Sequence, residues 1–278
     1  MVTIVTQLRG SRELLANLTM REVRGKYKRT ALGQIWSLIN PLAMMLIFTA
    51  VFGQVLRVKV DPGHPSGLHV FALWLVCALL PWNFMSNAMT GGMGSLVGNA
   101  NLIKKVYFPR EVLVAATVLS WDVTFLTEMG VLTVVLLAFG GMPLPWLPLV
   151  VVFMAFLTLF ALGLGLALSV ANVYFRDTQH FVGILMQIWF YATPIVYPFT
   201  YVHDEATKLH DKGWHIPLEF LYRLNPMERF TTVFRNLMYD NRFPSLADSL
   251  YCVGAGLVSV LIGYWLFTRF EGRMAEEL

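Results

Sequence analysis

The chain has 278 residues, 56% of them hydrophobic and 14% charged, with a formal net charge of +4 and a mean hydropathy of +0.60. A soluble domain carries about 25% charged residues, so this composition excludes an ordinary water-soluble domain and leaves an integral membrane protein. In so apolar a chain the basic excess is explained by orientation and anionic headgroups rather than by nucleic acid.

Leu8, Leu14, Leu15 and Leu18 fall within one arc of a helical wheel, which predicts an N-terminal amphipathic helix in the inner interface. Met1–Gln7 is too short for the apolar stretch of a secretory signal. A dense basic segment follows, Arg21 to Arg29. It serves as an orientation signal, or as a phosphate-binding site for an incoming lipid built from Arg24, Lys26, Lys28 and Arg29.

About 20 helical residues cross a bilayer, and six runs qualify or nearly so: Thr30–Leu56, Leu68–Ala88, Val112–Phe139, Trp146–Ala171, Phe181–Tyr197 and Ser249–Thr268. The fold class expected is therefore an all-α integral membrane protein with six transmembrane helices. Turn-rich loops at Arg57–Gly67 and Gly140–Pro145 fall outside. Gly94 and Gly98 form a GxxxG pair suited to close helix packing, and Gly163 and Gly165 are read the same way. Cys77 and Cys252 lie inside spans and read as small buried apolar residues.

Between the second and third spans lies a short basic hinge, Lys104-Lys105-Val106-Tyr107-Phe108-Pro109-Arg110. Basic loops of this kind accumulate on the cytoplasmic side, and Pro109 suits a turn or a helix start. Asp122 lies about 18 Å past Arg110 along a helix, near the bilayer midplane, where a charge must face protein or a wet cavity. It is either a polar lining of a path or a structural hydrogen bond, and Glu128 reads as the latter. Asn172 to Asp177 marks a return to the inner side. Thr200–Pro244 is the longest polar stretch, placed outside, and its His203, His210 and His215 lack the spacing of a metal site.

Thirteen of the 21 Lys and Arg fall on the inner side in this arrangement, which puts both termini in the cytoplasm. The expected layout is one transmembrane domain, 1–278. Within it, 1–29 is cytoplasmic, 30–197 holds five spans, 198–244 is external, 245–268 is the sixth span and 269–278 is a cytoplasmic tail. No nucleotide-binding GxxxxGK[ST], nucleophile elbow or metal cluster is present, so uphill transport would draw its energy from a gradient or a partner.

Five stretches in order carry a family resemblance. They are Lys26-Tyr27-Lys28 running to Leu32-Gly33-Gln34-Ile35-Trp36 and Asn40-Pro41, then Leu102–Glu111, then Asn172 with Phe175-Arg176-Asp177, then Pro194–Pro198, and last Leu224-Asn225-Pro226. Together they resemble the membrane subunit of ABC-2 type exporters of lipid-linked polysaccharides such as O-antigen, teichoic acid and galactan exporters. The resemblance implies a homodimer in the bacterial inner membrane around a central channel, with two copies of a separate ABC ATPase subunit beneath. ATP and Mg would bind in that partner, with no cofactor in this chain. The hinge Lys104–Arg110, helped by Arg176 and Asp177, would receive the ATPase motion. Short re-entrant helices near Pro198, Asn225 and Pro226 would gate the outer mouth, and the first and fifth spans would line the channel.

A glycan has apolar ring faces and many hydroxyls, so its path needs stacking surfaces. Trp36, Phe48, Phe52, Trp189, Phe190 and Tyr191 are the aromatics available. Two other functions fit the same sequence: an ABC-2 permease for drugs or lipids, and an intramembrane enzyme using Asp122 and Glu128 as acid and base. Six residues apart, those carboxylates lie ~240° apart on a helix, which disfavours a shared active site.

Overall fold

A computed structural model describes residues 12–26, 28, 33, 35–55, 57–58, 60–106, 108–211 and 217–277. Arg29 and Tyr107 of the expected sites, and Leu8 and His215, lie outside the described residues. Among the described residues every regular element is helical.

Helix α1 is Arg12–Lys26; α2 is Ile35–Phe48, continued by a π-turn Thr49–Val55; α3 is Phe71–Gly98 and α4 Ala100–Lys105. Next come α5 Glu111–Ala138, α6 Leu147–Tyr174 and α7 Thr178–Tyr191. The rest are α8 Thr200–Asp211, α9 Leu218–Arg223, α10 Pro226–Arg235 with a π-turn Asn236–Asp240, α11 Leu246–Phe270 and a short α12 Met274–Glu277.

Among the described residues four helices are long and apolar enough to cross a membrane: Phe71–Gly98, Glu111–Ala138, Leu144–Tyr174 with its leading turn, and Leu246–Phe270. The expected first and fifth spans are represented by α2 and α7, each only 14 residues long. The second expected span stopped at Ala88, yet α3 continues straight through Gly91, Gly92, Gly94 and Gly98. Packing of α3 against α5 and α6 outweighs the propensity cost of about 1 kcal/mol per glycine.

Helix α3 is the keel of the fold. Residues Leu73–Trp82 are buried all round, between α5, α6, α10 and the aromatic end of α7. Gly92 lets α3 approach α6: a Cβ added there would lie 3.3 Å from Gly165 Cα. On the other side of α6, Gly163 meets Ser259 and Gly263 of α11, where a methyl on Gly163 or Gly263 would run into opposing backbone. The expected packing role of Gly163 and Gly165 thus holds. The Gly94–Gly98 pair does not pack: neither has a neighbour within 4 Å of a side-chain position. The face of α3 that touches α6 carries Gly92 instead. Cys77 and Cys252 are buried free thiols.

One further correction concerns Thr200–Pro244, expected to be polar throughout. Its second half is the centre of the core. Met227, Phe230, Val233, Phe234, Leu237 and Met238 are all fully buried, at the i, i+3, i+4 spacing of a helix with one apolar face.

Candidate functional site

A second apolar cluster gathers the hinge end of the molecule. Leu18 of α1, Leu96 of α3, Val112–Val114 of α5, Val170 and Val173 of α6, Phe267 of α11 and Met274 of α12 pack together, with Leu102, Ile103 and Phe108 against them. This places the basic hinge, the end of α6 and the C-terminal segment side by side. Lys104, Lys105 and Val106 stay exposed. Pro109 accepts from the Val112 N–H and Arg110 from that of Leu113, which starts α5 immediately after the turn. Two bonds fix the hinge to its neighbours. Arg110 Nη1 donates to the Glu271 carbonyl at 2.6 Å, and Arg21 Nη2 of α1 donates to Asn99 Oδ1 at 2.8 Å. A cleft of about 330 Å³ opens among Ile103, Lys104, Lys105, Val106, Phe108 and Arg110. Phe175, Arg176 and Asp177 are exposed at the same end, between α6 and α7.

The basic segment divides. Arg24 and Lys28 are exposed. Lys26 turns inward, its Nζ 3.4 Å from the Trp121 ring centre, buried and without a hydrogen-bond acceptor among the described residues. Burial pulls its pKa down to about 7, against the opposing pull of Glu22, Glu128 and Asp122. Asp122 accepts a hydrogen bond from Thr158 Oγ1 of α6 at 2.7 Å, whereas Glu128 faces an apolar groove lined by Leu38, Leu73 and Val131 among others. The two carboxylates therefore serve different interfaces. The Lys26 ammonium offsets both, and a double substitution tests this. Lys26→Met is expected to lower the melting temperature in detergent by several degrees. Adding Glu128→Gln should return part of that loss, a coupling of about 1 kcal/mol. Additive losses would mean the charges do not interact.

The aromatics converge in part. Phe48 of α2 stacks on Phe190 of α7, with centroids 5.8 Å apart and an interplanar angle of 22°. Phe52 lies edge-on to Phe48, and Tyr191 to Phe190. A cleft of about 450 Å³ sits there, lined by Phe48, Phe190 and Tyr191 together with residues the sequence did not single out: Met44, Trp82, Asn83, Ser86 and Gln187. Trp189 turns away into the core against Trp82 and Phe160. Trp36 is exposed and lies apart from the cleft.

At the far end, Asn225 ties α7 to α10. Its Oδ1 accepts from the Met227 N–H, capping α10, and from Trp189 Nε1 at 2.8 Å. Its Nδ2 donates to Thr193 Oγ1 and the Ala192 carbonyl at the end of α7. Pro226 occupies the first turn of α10, where its missing N–H is harmless, and Pro198 is buried. Beside them a residue that sequence reasoning missed, Arg235, donates to the Pro194 carbonyl at 2.7 Å, to Ile195 at 2.6 Å and to Trp74 at 3.3 Å. Its guanidinium also stacks 3.5 Å from the Trp74 ring centre. The missed signal was an Arg set in the apolar run Phe230–Met238. Close by, Arg229 pairs with Asp248 and Glu228. Burial raises the Glu228 pKa, with Arg229 pulling it back.

The histidines hold no metal cluster among the described residues. His203 Nδ1 lies 2.6 Å from Glu219.

Comparison with known proteins extends over the whole length. The profile described as ABC-2 type transporter matches residues 13–239. The chain is 31% identical to the O-antigen export system permease protein RfbA of Myxococcus xanthus, over 99% of this chain and 98% of that one. It is 27% identical to a protein of the same name from Klebsiella pneumoniae, over 96% and 95%. It is 22% identical to the polysialic acid transport protein KpsM of Escherichia coli, over 92% and 93%. The chain belongs to the ABC-2 type transporter family.

Proposed function

We propose that this chain is the membrane-spanning permease subunit of an ATP-driven exporter that moves a lipid-linked polysaccharide from the cytoplasmic to the outer side of the bacterial inner membrane. The observation that carries the proposal is the end-to-end likeness to permeases named for O-antigen export. The chain supplies no ATPase of its own in this reading. ATP and Mg bind to a separate ABC subunit present in two copies, and the chain itself forms a homodimer.

Six spans complete the layout, with both termini cytoplasmic. Helix α2 and its π-turn together give 14 and 7 residues, enough for about 30 Å at helical rise. Helix α7 reaches a bilayer's depth with the buried coil from Thr193 to Val196 behind it. The segment α8–α10 is then the outer, partly re-entrant gate around Pro198, Asn225 and Pro226. Exposed apolar residues along α7, Phe181, Ile184, Ile188 and Tyr191, support a channel-side or dimer-side face for that helix.

The hinge is the part that receives force. Lys104, Lys105 and Val106 project freely while Arg110 anchors the turn to α11. A push there reaches α5 and α11 at once. Replacing Lys104 and Lys105 together by Ala is expected to cut nucleotide turnover coupled to export at least tenfold, with the chain still inserted at its normal level. Arg24 and Lys28, both exposed, supply the headgroup side where arginine and lysine meet a pyrophosphate, while Lys26 is turned inward onto Trp121.

Deleting the gene and extracting lipid-linked glycan tests the whole reading. The expected result is loss of surface polysaccharide with its lipid-linked form retained inside, and co-purification of an ATPase subunit with the tagged chain. Unchanged surface glycan, or transport by the purified chain with no nucleotide-hydrolysing partner, overturns it.

A further inference from the structure

The cleft between α2, α3 and α7 has two chemically different walls. One is aromatic, with Phe48, Phe190 and Tyr191 presenting faces and edges. The other is polar and neutral: Asn83 and Ser86, three residues apart on α3, and Gln187 on α7. None of these three side chains makes a hydrogen bond to another described residue, although each is only partly buried or exposed. Facing an open cleft with no partner among the described residues, these groups are available to bond a ligand. Each amide offers two donors and an acceptor, the complement of vicinal hydroxyls. The volume of 450 Å³ lies within the range of about 300–1,000 Å³ typical of small-ligand sites.

The lining is also defined by what it omits. Among the described residues, no Lys, Arg, His, Asp or Glu borders the cleft. A carboxylate-bearing sugar would enter without a counter-charge and lose its hydration uncompensated. A neutral sugar stacks its C–H face on the aromatics and spends its hydroxyls on the amides.

We propose that Asn83, Ser86 and Gln187 form a glycan-reading subsite on the export path, selective for neutral, hydroxyl-rich sugar units over acidic ones. This rests on the polysaccharide-export reading and adds the class of sugar carried. The contacts are those of a surface over which a chain slides: a few neutral hydrogen bonds, each weak in net terms, hold a residue in register without trapping it.

The native thiols make the test clean, because Cys77 and Cys252 are both fully buried. The variant Ser86→Cys places one reachable thiol in the cleft. In the complex purified with its ATPase partner, its reaction with a water-soluble maleimide is timed with a neutral gluco- or manno-oligosaccharide, and separately with an oligogalacturonate of equal length. The neutral oligosaccharide is expected to slow labelling at least threefold and the acidic one to leave it unchanged. Adding Asn83→Ala and Gln187→Ala should abolish the protection. Equal protection by both probes, or by neither, overturns the subsite. The gene deletion separates the two levels: if the deleted strain keeps its surface glycan, the export reading falls. If it loses the glycan and neither probe protects Cys at 86, only the subsite falls.

Discussion

Replacing Arg235 by Ala is expected to destabilise the protein by about 3–5 kcal/mol, because truncation leaves buried carbonyls without their donor. Arg235 is buried, and its guanidinium serves Pro194, Ile195 and Trp74 at once. These carbonyls come from two segments far apart in sequence, the coil after α7 and the first turn of α3. The guanidinium thus satisfies two carbonyls of the coil where helix geometry stops. Arg235→Lys retains the charge and one donor direction but not the planar fork, so it should recover less than half of the loss. Chemical denaturation of detergent-solubilised chain, followed by tryptophan fluorescence, measures both. A loss below about 1 kcal/mol for the alanine variant would mean that water replaces the guanidinium.

Gly163→Ala is expected to cost as much or more, for a different reason. A methyl there meets the Ser259 backbone, and one on Gly263 meets the Gly163 carbonyl. Backbone has no rotamer to escape into, so α6 and α11 must move apart along their contact. Overpacking that displaces side chains costs about 1–3 kcal/mol, and displacement of two spans exceeds that range. Gly94→Ala is the control. It sits in the interior of α3 with nothing within 4 Å, and should stabilise by about 0.5–1 kcal/mol through helix propensity. The pair of melting curves should move in opposite directions. Similar shifts for both variants would mean that packing at Gly163 is loose.

Much of the fold was legible in the chain. Uncharged runs fixed α3, α5, α6 and α11 to within a few residues at most ends, because hydropathy over 20 residues integrates a large signal. The helix of the fifth expected span was overestimated at its end, since apolar coil after α7 reads as apolar helix: Thr193–Val196 is buried outside any helix. The core role of α10 was hidden by the charges ahead of it. Asp204, Glu205, Lys208, Asp211 and Lys212 made the whole stretch read as polar, while in α10 itself Arg235 donates to backbone carbonyls and Arg229 pairs with Asp248. Pairwise compensation of that kind is a property of three-dimensional partners, and composition averages over it. The glycines show the same limit. The GxxxG spacing at Gly94 and Gly98 was visible, but which face of α3 meets α6 depends on rotation about the helix axis, and Gly92 holds that position.

At the candidate site, the aromatics Phe48, Phe190 and Tyr191 were identified from type alone, and their convergence with Asn83, Ser86 and Gln187 was not. An amide in a span is a weak signal by itself. It acquires meaning only when two helices bring amides to one wall.

The tight glycine seams run through α3, α6 and α11, whereas α2 buries only Pro41 among its described side chains and α7 only Val182 and Met186. Freedom to vary is therefore unevenly distributed. In an exporter built this way, a lineage can reshape the aromatic wall of the path by exchanging residues on two lightly held rods, whereas a change at Asn83 or Ser86 alters the frame that carries force.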